Sequence, residues 1–353
     1  MALLFMDSFD NYVTADLLEK WTTTAVGGSD TLGIQAAAGR RSSGGLRHAH
    51  ITNSNAGSAS KVLTASGATA IVGVALKMPT PAFYTGVVTI VQATSAQVSL
   101  RVNADLTLSV YRGAFNSGTL LGTTVTPIVA NVFAYLELKV LLSTTVGTID
   151  LRVNGASVLA LTSQNTQATG SATWTAVALG QHAAGGSDAN NHTKDFDDLY
   201  VLDGSGAAPW NDFLGDCRVD VCVPTGAGAT TGWTPSAGAN WQCVDDAAPN
   251  DDTDYTSAAS AGLVDTFVVQ DAPVAGAAIY GVQHCLSVKK TDAGIATIAP
   301  VIRHSGVDYV GADLFPATGY AYALAIAATN PGTGVAWTDA GFNAAEFGYK
   351  RTT

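Results

Sequence analysis

The side chains of this chain with the plainest potential for chemistry are aspartates. Residues 244–255 (V-D-D-A-A-P-N-D-D-T-D-Y) hold five of them, a density that raises calcium coordination. The helix–loop–helix calcium frame needs a central glycine and a terminal glutamate, and this stretch has neither, so it reads as a solvated acidic loop. A second carboxylate pairing, Asp7 or Asp10 with Asp197 or Asp198, depends on two distant strands lying side by side. His48 and His50 share a strand face, but no carboxylate or cysteine stands near them in sequence, and they read as strand residues, not metal ligands. Cys217, Cys222, Cys243 and Cys285 lack C-x-x-C spacing and neighbouring histidines, which makes a poor zinc set. In an extended C-R-V-D-V-C, Cys217 and Cys222 point to opposite faces roughly 16 Å apart, so they cannot pair with each other. The expectation is free thiols, with one cross-strand disulfide as the alternative.

Sugar hydrolysis requires two carboxylates facing each other across the glycosidic bond. The three glutamates, Glu19, Glu137 and Glu346, are isolated from one another, and Glu137 has Lys139 as its same-face neighbour, an expected ion pair. No G-x-S-x-G elbow, H-E-x-x-H helix, phosphate loop or dinucleotide fingerprint occurs. No catalytic residue, cofactor site or metal site is therefore assigned, and the chain is not expected to be an enzyme. Trp210, Trp233, Trp241 and Tyr255 could make a platform on which sugar rings stack. The competing role, capping the end of a β-sandwich core, is favoured.

Composition limits what can position these residues. Hydrophobic residues make up 47% of the chain and charged residues 13%, while glutamate and lysine, which build amphipathic surface helices, are scarce. Little helix is expected. A net charge of −11 repels a phosphate backbone, which argues against a nucleic-acid partner. The apolar start, residues 2–6, is too short for the core of a secretion signal, and no uncharged stretch reaches membrane-spanning length. The expected setting is a cytoplasm, without membrane insertion.

Strand signals dominate. Residues 70–78 are apolar on both faces, as in a central strand, and residues 97–112 read as a hairpin. In residues 133–142, Leu136, Leu138, Val140 and Leu142 alternate with Tyr135, Glu137 and Lys139. Asn154-Gly155 is a strong hairpin turn between residues 149–153 and 158–161. Residues 14–21 form the best short helix, with Thr14 as N-cap. The basic run Arg40 to Arg47 reads as a short strand with solvated arginines. The central stretch, 194–216, couples a strand (F-D-D-L-Y-V-L) to a breaker cluster, Gly204 to Pro209, and its aromatic and aspartate texture matches that of residues 3–12. Pairing those two strands closes a domain at about Asp203. Residues 204–211 are then an exposed linker, residues 212–224 an alternating strand and residues 225–241 a long loop. Five further strands, at 263–269, 278–290, 295–303, 320–327 and 346–351, complete a second domain at 212–353. The fold class is all-β, two β-sandwich (jelly-roll) domains in tandem.

The D-S-F-D-N-Y opening, Y-L-E-L-K-V, D-L-R-V-N-G and D-F-D-D-L-Y-V-L-D resemble the concanavalin A-like (laminin G-like) jelly roll. In particular they resemble the form found in tail and structural proteins of tailed bacteriophages. The resemblance covers residues 1–203, and W-T-P-S-A-G-A-N-W, D-D-T-D-Y and N-A-A-E-F-G-Y-K extend it towards the C-terminus. Leu106 departs from it, standing where related hairpins are expected to carry glycine after N-A-D. The resemblance implies a virion component of the tail, fibre or baseplate, assembled in the host cytoplasm from copies of itself and other virion proteins. Rotational symmetry, a trimer in preference to a hexamer, would follow. Host-surface attachment through a glycan is a further implied role, and a carbohydrate-binding, lectin-like module is the alternative reading of the whole chain.

Overall fold

A computed structural model describes residues 2–51, 56–65, 67–81, 83–182 and 192–353. The chain divides into two compact units, residues 1–9 with 13–219 and residues 10–12 with 220–353. It is an all-β protein built on β-sandwich architecture, as expected.

The first unit contains β1 (Leu3–Asp7), β2 (Thr23–Val26), β3 (Thr31–Gln35), β4 (Gly45–His50), β5 (Gly57–Val62), β6 (Thr69–Lys77), β7 (Tyr84–Gln92) and β8 (Ser95–Asn103). It continues with β9 (Leu108–Arg112), β10 (Thr119–Thr123), β11 (Ala134–Leu141), β12 (Gly147–Val153), β13 (Ala156–Gln164), β14 (Ala176–Gln181) and β15 (His192–Leu202). One sheet runs β13-β12-β11-β6-β15-β4-β3, with β1 also on β15, and the other runs β10-β9-β8-β7-β14-β5-β2. Alternation supplies the core: Val72, Val74, Leu76, Leu136, Leu138 and Val140 of the first sheet and Val88, Ile90, Val98, Leu100 and Val102 of the second are all buried. Each such side chain contributes roughly 1.5–3 kcal/mol of apolar burial.

The expected pairing of the first strand with the last is present, Leu3 opposite Leu202 and Asp7 opposite Leu199. Asn154 and Gly155 have φ of 50° and 80°, the two left-handed positions of a type I′ hairpin turn. Leu106 also lies in the left-handed region, at φ 64°, so the turn keeps the geometry that favours glycine. Its side chain is buried, which offsets the backbone strain. The expected helix is a 3-10 turn, Thr14–Asp16, followed by α1 (Leu17–Lys20); the Thr14 hydroxyl does not cap it but bonds the backbone of Ile34. Residues 183–191, between β14 and β15, lie outside the described residues.

Two sequence expectations are corrected at the end of this unit. Residues 204–211 do not form the boundary; the first unit extends to Val219. The segment after β15 is tied to the sheet by side chains: Leu214 N–H donates to the Tyr200 hydroxyl (3.1 Å), Gly215 N–H to Glu137 Oε1 (2.8 Å) and Val219 N–H to Asp198 Oδ1 (2.8 Å). Because those amides are spent on side chains, residues 212–223 form no strand despite their alternating pattern.

The second unit holds β16 (Pro224–Thr231), β17 (Thr234–Pro235), β18 (Thr256–Ser257), β19 (Val264–Val269), β20 (Val282–Val288), β21 (Ile298–His304), β22 (Val307–Val310), β23 (Ala321–Ala327), β24 (Glu346–Arg351) and α2 (Asp339–Asn343). Its five-stranded sheet runs β16-β19-β24-β21-β22, and β20 pairs with β23 as a separate ribbon. Leu286 and Val288 of the ribbon pack on Phe267, Ile298 and Tyr349 of the sheet. β16, the glycine- and threonine-rich stretch expected to be a loop, is a strand because β19 supplies its partners. Among the described residues no helix is long and apolar enough to cross a membrane.

Candidate functional site

Strands β4 and β15 lie side by side, with Arg47 opposite Asp195, Lys194 opposite His48 and His192 opposite His50. Alternation sends these pairs to the two faces of the sheet, and both faces carry polar chemistry.

On the outward face, Asp195 stands between Arg47 and, across β6, Lys77. Arg47 Nε and Nη2 donate to the two oxygens of Asp195 at 2.6 and 2.9 Å, and Lys77 Nζ lies 3.2 Å from Oδ2. The Asp195 hydrogen bond raises the Arg47 pKa. Lys77 also sits 4.7 Å above the ring of Phe133. In the other direction Gly33 of β3 pairs with Arg47. Thr14, Thr31, Leu32, Gly33, Gln35 and Arg47 line a shallow groove of about 280 Å³ there. A transverse rank of polar groups, ending on an aromatic ring, thus crosses the sheet from β3 to the start of β11.

On the inward face, His48, Lys194, His50 and His192 form a two-by-two array, all buried. Asp30, in the turn before β3, reaches into it. Its Oδ1 accepts from Ile51 N–H (2.8 Å), which aims Oδ2 at His50 Nδ1 (2.7 Å) and His48 Nε2 (3.5 Å). Neither ring nitrogen of His48 has a hydrogen-bond partner. Burial, reinforced by Lys194, His50 and His192, pushes the His48 pKa far below its ordinary value. Lys194 Nζ is turned to the opposite sheet, donating to Thr85 Oγ1 (2.7 Å) and the Gly86 carbonyl (3.3 Å). Gly57 lets the His48 ring in: a Cβ there would lie 1.8 Å from Nε2. His50 and His192, 5.2 Å apart between ring centroids, line a surface depression with Ala49, Ile51, Pro79 and Thr193.

The other candidates have structural partners. Asp7 accepts from Lys20 Nζ (2.8 Å), Trp21 Nε1 (2.9 Å) and Phe9 N–H (2.9 Å). Asp197 and Asp198 form a bulge in β15, where Asp197 takes the Arg40 amide and Asp198 the Arg40 and Arg41 guanidinium groups. Of the expected carboxylate pairing of Asp7 or Asp10 with Asp197 or Asp198, Asp7 and Asp198 hold internal salt bridges and Asp197 a backbone amide, and the arginines expected to be solvated are partnered. The expected Glu137–Lys139 ion pair does not form. Lys139 bonds Asp212 (3.0 Å), while Glu137, fully buried, accepts from the Tyr200 hydroxyl (2.6 Å). Burial and Glu137 raise the Tyr200 pKa, and Cys217, within the segment after β15, is pushed up to about 12, chiefly by burial.

In the acidic loop, Asn250 Nδ2 bridges Asp246 and Asp254, and Asp252 binds Lys289. Trp233 and Trp241 pack against the second unit's core, the capping role. Trp210 belongs to the first unit, so the four aromatics do not share one unit. The four cysteines are free. Among the described residues the Asp30–His48–His50 group is the cluster with metal-ligand spacing. Sequence inspection missed Asp30, although pairing 31–35 with 45–50 as a hairpin would have brought it to the histidines.

No family model and no curated protein matches this chain. Solved structures similar to it include alginate lyase Aly36B (10% identity over 56% of this chain and 96% of that one, TM-score 0.43). The cellulose induced protein Cip1 is 11% identical over 57% and 91%, with a TM-score of 0.36. Carbohydrate binding module CBM66 from Bacillus subtilis is 12% identical over 50% and 93%, with a TM-score of 0.33.

Proposed function

We propose that the chain is a non-catalytic carbohydrate-binding β-sandwich protein. The observation that carries this reading is the transverse rank on the outer face of the first sheet, Gly33–Arg47–Asp195–Lys77 continued by Phe133. Four inter-strand steps make it about 19 Å long, the scale of a short oligosaccharide. Its donors and acceptors are held in place before any ligand arrives, because Arg47 and Lys77 share one buried carboxylate. Preset polar groups beside an aromatic ring suit a hydroxyl-rich, flat-faced ligand and cost little ordering entropy on binding.

Catalysis is not part of the proposal. Glu137 is buried under residues 214–215, and Glu346 Oε2 is occupied by Ala229 N–H (2.7 Å) and Thr266 Oγ1 (2.6 Å) in the other unit. The carbohydrate-directed names among the similar structures agree with the reading without carrying it. The virion setting stays as a second reading on the sequence resemblance, in which the same rank would meet a host glycan.

A glycan array followed by calorimetry tests the proposal. The expected result is binding of an oligosaccharide that Arg47→Ala and Lys77→Ala each weaken at least tenfold. Binding that survives both substitutions, or none on a broad array, removes the rank as the site.

A further inference from the structure

We propose that Asp30, His48 and His50 form a zinc site in the interior end of the first sandwich. Asp30, His48 and His50 each offer one ligand atom, and these atoms lie within 4.8 Å of one another. Ligands at the usual zinc distances of about 2.1 Å in a tetrahedron are separated by about 3.4 Å. Asp30 Oδ2 to His48 Nε2, at 3.5 Å, already has that spacing. Asp30 Oδ2 to His50 Nδ1, at 2.7 Å, is a hydrogen bond that must lengthen by roughly 0.7 Å when its proton gives way to the ion.

Three further observations point to a ligand. The first is His48 itself, wholly buried with two ring nitrogens that bond nothing, a costly state for a polar side chain. The second is the orientation of Asp30: the Ile51 amide holds Oδ1 while Oδ2 faces the histidines, an outer contact of the kind that holds a metal-binding carboxylate in place. The third is position, since His50 lines a surface depression and so sets the group near the surface end of the core. Imidazole nitrogen with carboxylate oxygen is a zinc donor set, and three protein ligands leave the fourth position to water. Lys194 does not block the site, because its ammonium is held by Thr85 and Gly86 of the opposite sheet. Asp30 supplies one negative charge against the two of the ion, and the buried Lys194 ammonium opposite His48 adds a further positive charge, which is the reason to expect moderate affinity.

The test uses untagged full-length protein, stripped with chelator and dialysed against equimolar zinc or cobalt. Elemental analysis should give one ion per chain, and the Tm should rise on adding zinc and fall back with chelator. Cobalt-loaded wild type should show tetrahedral visible absorption and two hyperfine-shifted imidazole N–H resonances. His48→Gln and Asp30→Asn should lose the ion, while His284→Gln in the second unit should keep it. No ion retained by wild type overturns the proposal, as does full stoichiometry in either site variant. Should those variants not fold, the wild-type cobalt resonances decide alone: fewer than two ligated imidazoles removes the assignment.

Discussion

Two buried histidines, one in each unit, make the same demand on their surroundings and receive different answers. His48 on β4 and His284 on β20 are both buried with neither ring nitrogen hydrogen-bonded. His284 lies 5.5 Å from the ring of Phe347, and desolvation alone lowers its pKa. His48 instead faces Asp30, with His50 6.0 Å away between ring centroids. Burial by itself makes a histidine an acid-sensitive part of a core. Burial together with converging ligand atoms makes a place for an ion, and that difference is one of neighbours, not of exposure.

The largest effect expected from this comparison is acid destabilisation through His284. Its pKa falls from an ordinary 6.5 to about 4 in the folded chain. Between those values the unfolded chain binds more protons, so this contribution to stability is complete above about pH 6.5 and lost as pH falls towards 4. The depression is worth about 3 kcal/mol at 1.36 kcal/mol per pH unit. Hydrogen exchange of β20 and β24 amides, measured at pH 7 and pH 4.5 in wild type and His284→Leu, checks it. An equal acid response in the two proteins would falsify the assignment to His284.

Next comes Glu137→Ala, which leaves the Tyr200 hydroxyl and the Gly215 amide without their acceptor, a loss of about 2 kcal/mol. The effect should appear first as faster protease cleavage within residues 212–219, because that carboxylate ties the segment to the sheet. Cleavage that stays at wild-type rate would mean that Asp198 and the arginines hold the segment alone. Asp30→Asn, assayed in chelator, should cost about 1–2 kcal/mol through weakened bonds to His50 and Ile51. Zinc should stabilise wild type but leave the variant unchanged, which separates the aspartate's role as a hydrogen-bond acceptor from its role as a ligand. A variant as responsive to zinc as wild type would place the ion elsewhere.

How much of this could be read before the fold was known depended on where backbone hydrogen bonds went. β6 was legible because it is apolar on both faces, as a central strand is, β11 because its alternation matches the layer it forms, and β12–β13 because Asn154-Gly155 permits little else. The β1–β15 pairing was legible in shared aspartate and aromatic texture. Residues 212–223 have the same alternation as a strand, but their amides bind Glu137, Tyr200 and Asp198, acceptors far away in sequence. β16 shows the reverse: Gly and Thr give no strand pattern, yet β19 offers a ladder. The histidine pair was visible as a parity match, whereas Asp30, the group that gives it meaning, arrives only through the β3–β4 register.

The smallest stability effect, and the sharpest test of the two faces of β4, is Arg47→Ala. Its partner Asp195 retains Lys77 at 3.2 Å, and the Arg47 side chain is 36% exposed, so solvent replaces much of what is lost. A change of about 0.5 kcal/mol or less is expected, visible as a Tm shift of about 2 °C at most. The inward array should not notice, since Arg47 and His48 project to opposite faces and zinc stoichiometry should remain at the wild-type value. Glycan binding should fall at least tenfold in the same protein. That pairing of outcomes is specific: a loss of both activities together would mean that the substitution disturbs the strand, and a loss of zinc alone would invert the assignment of the two faces.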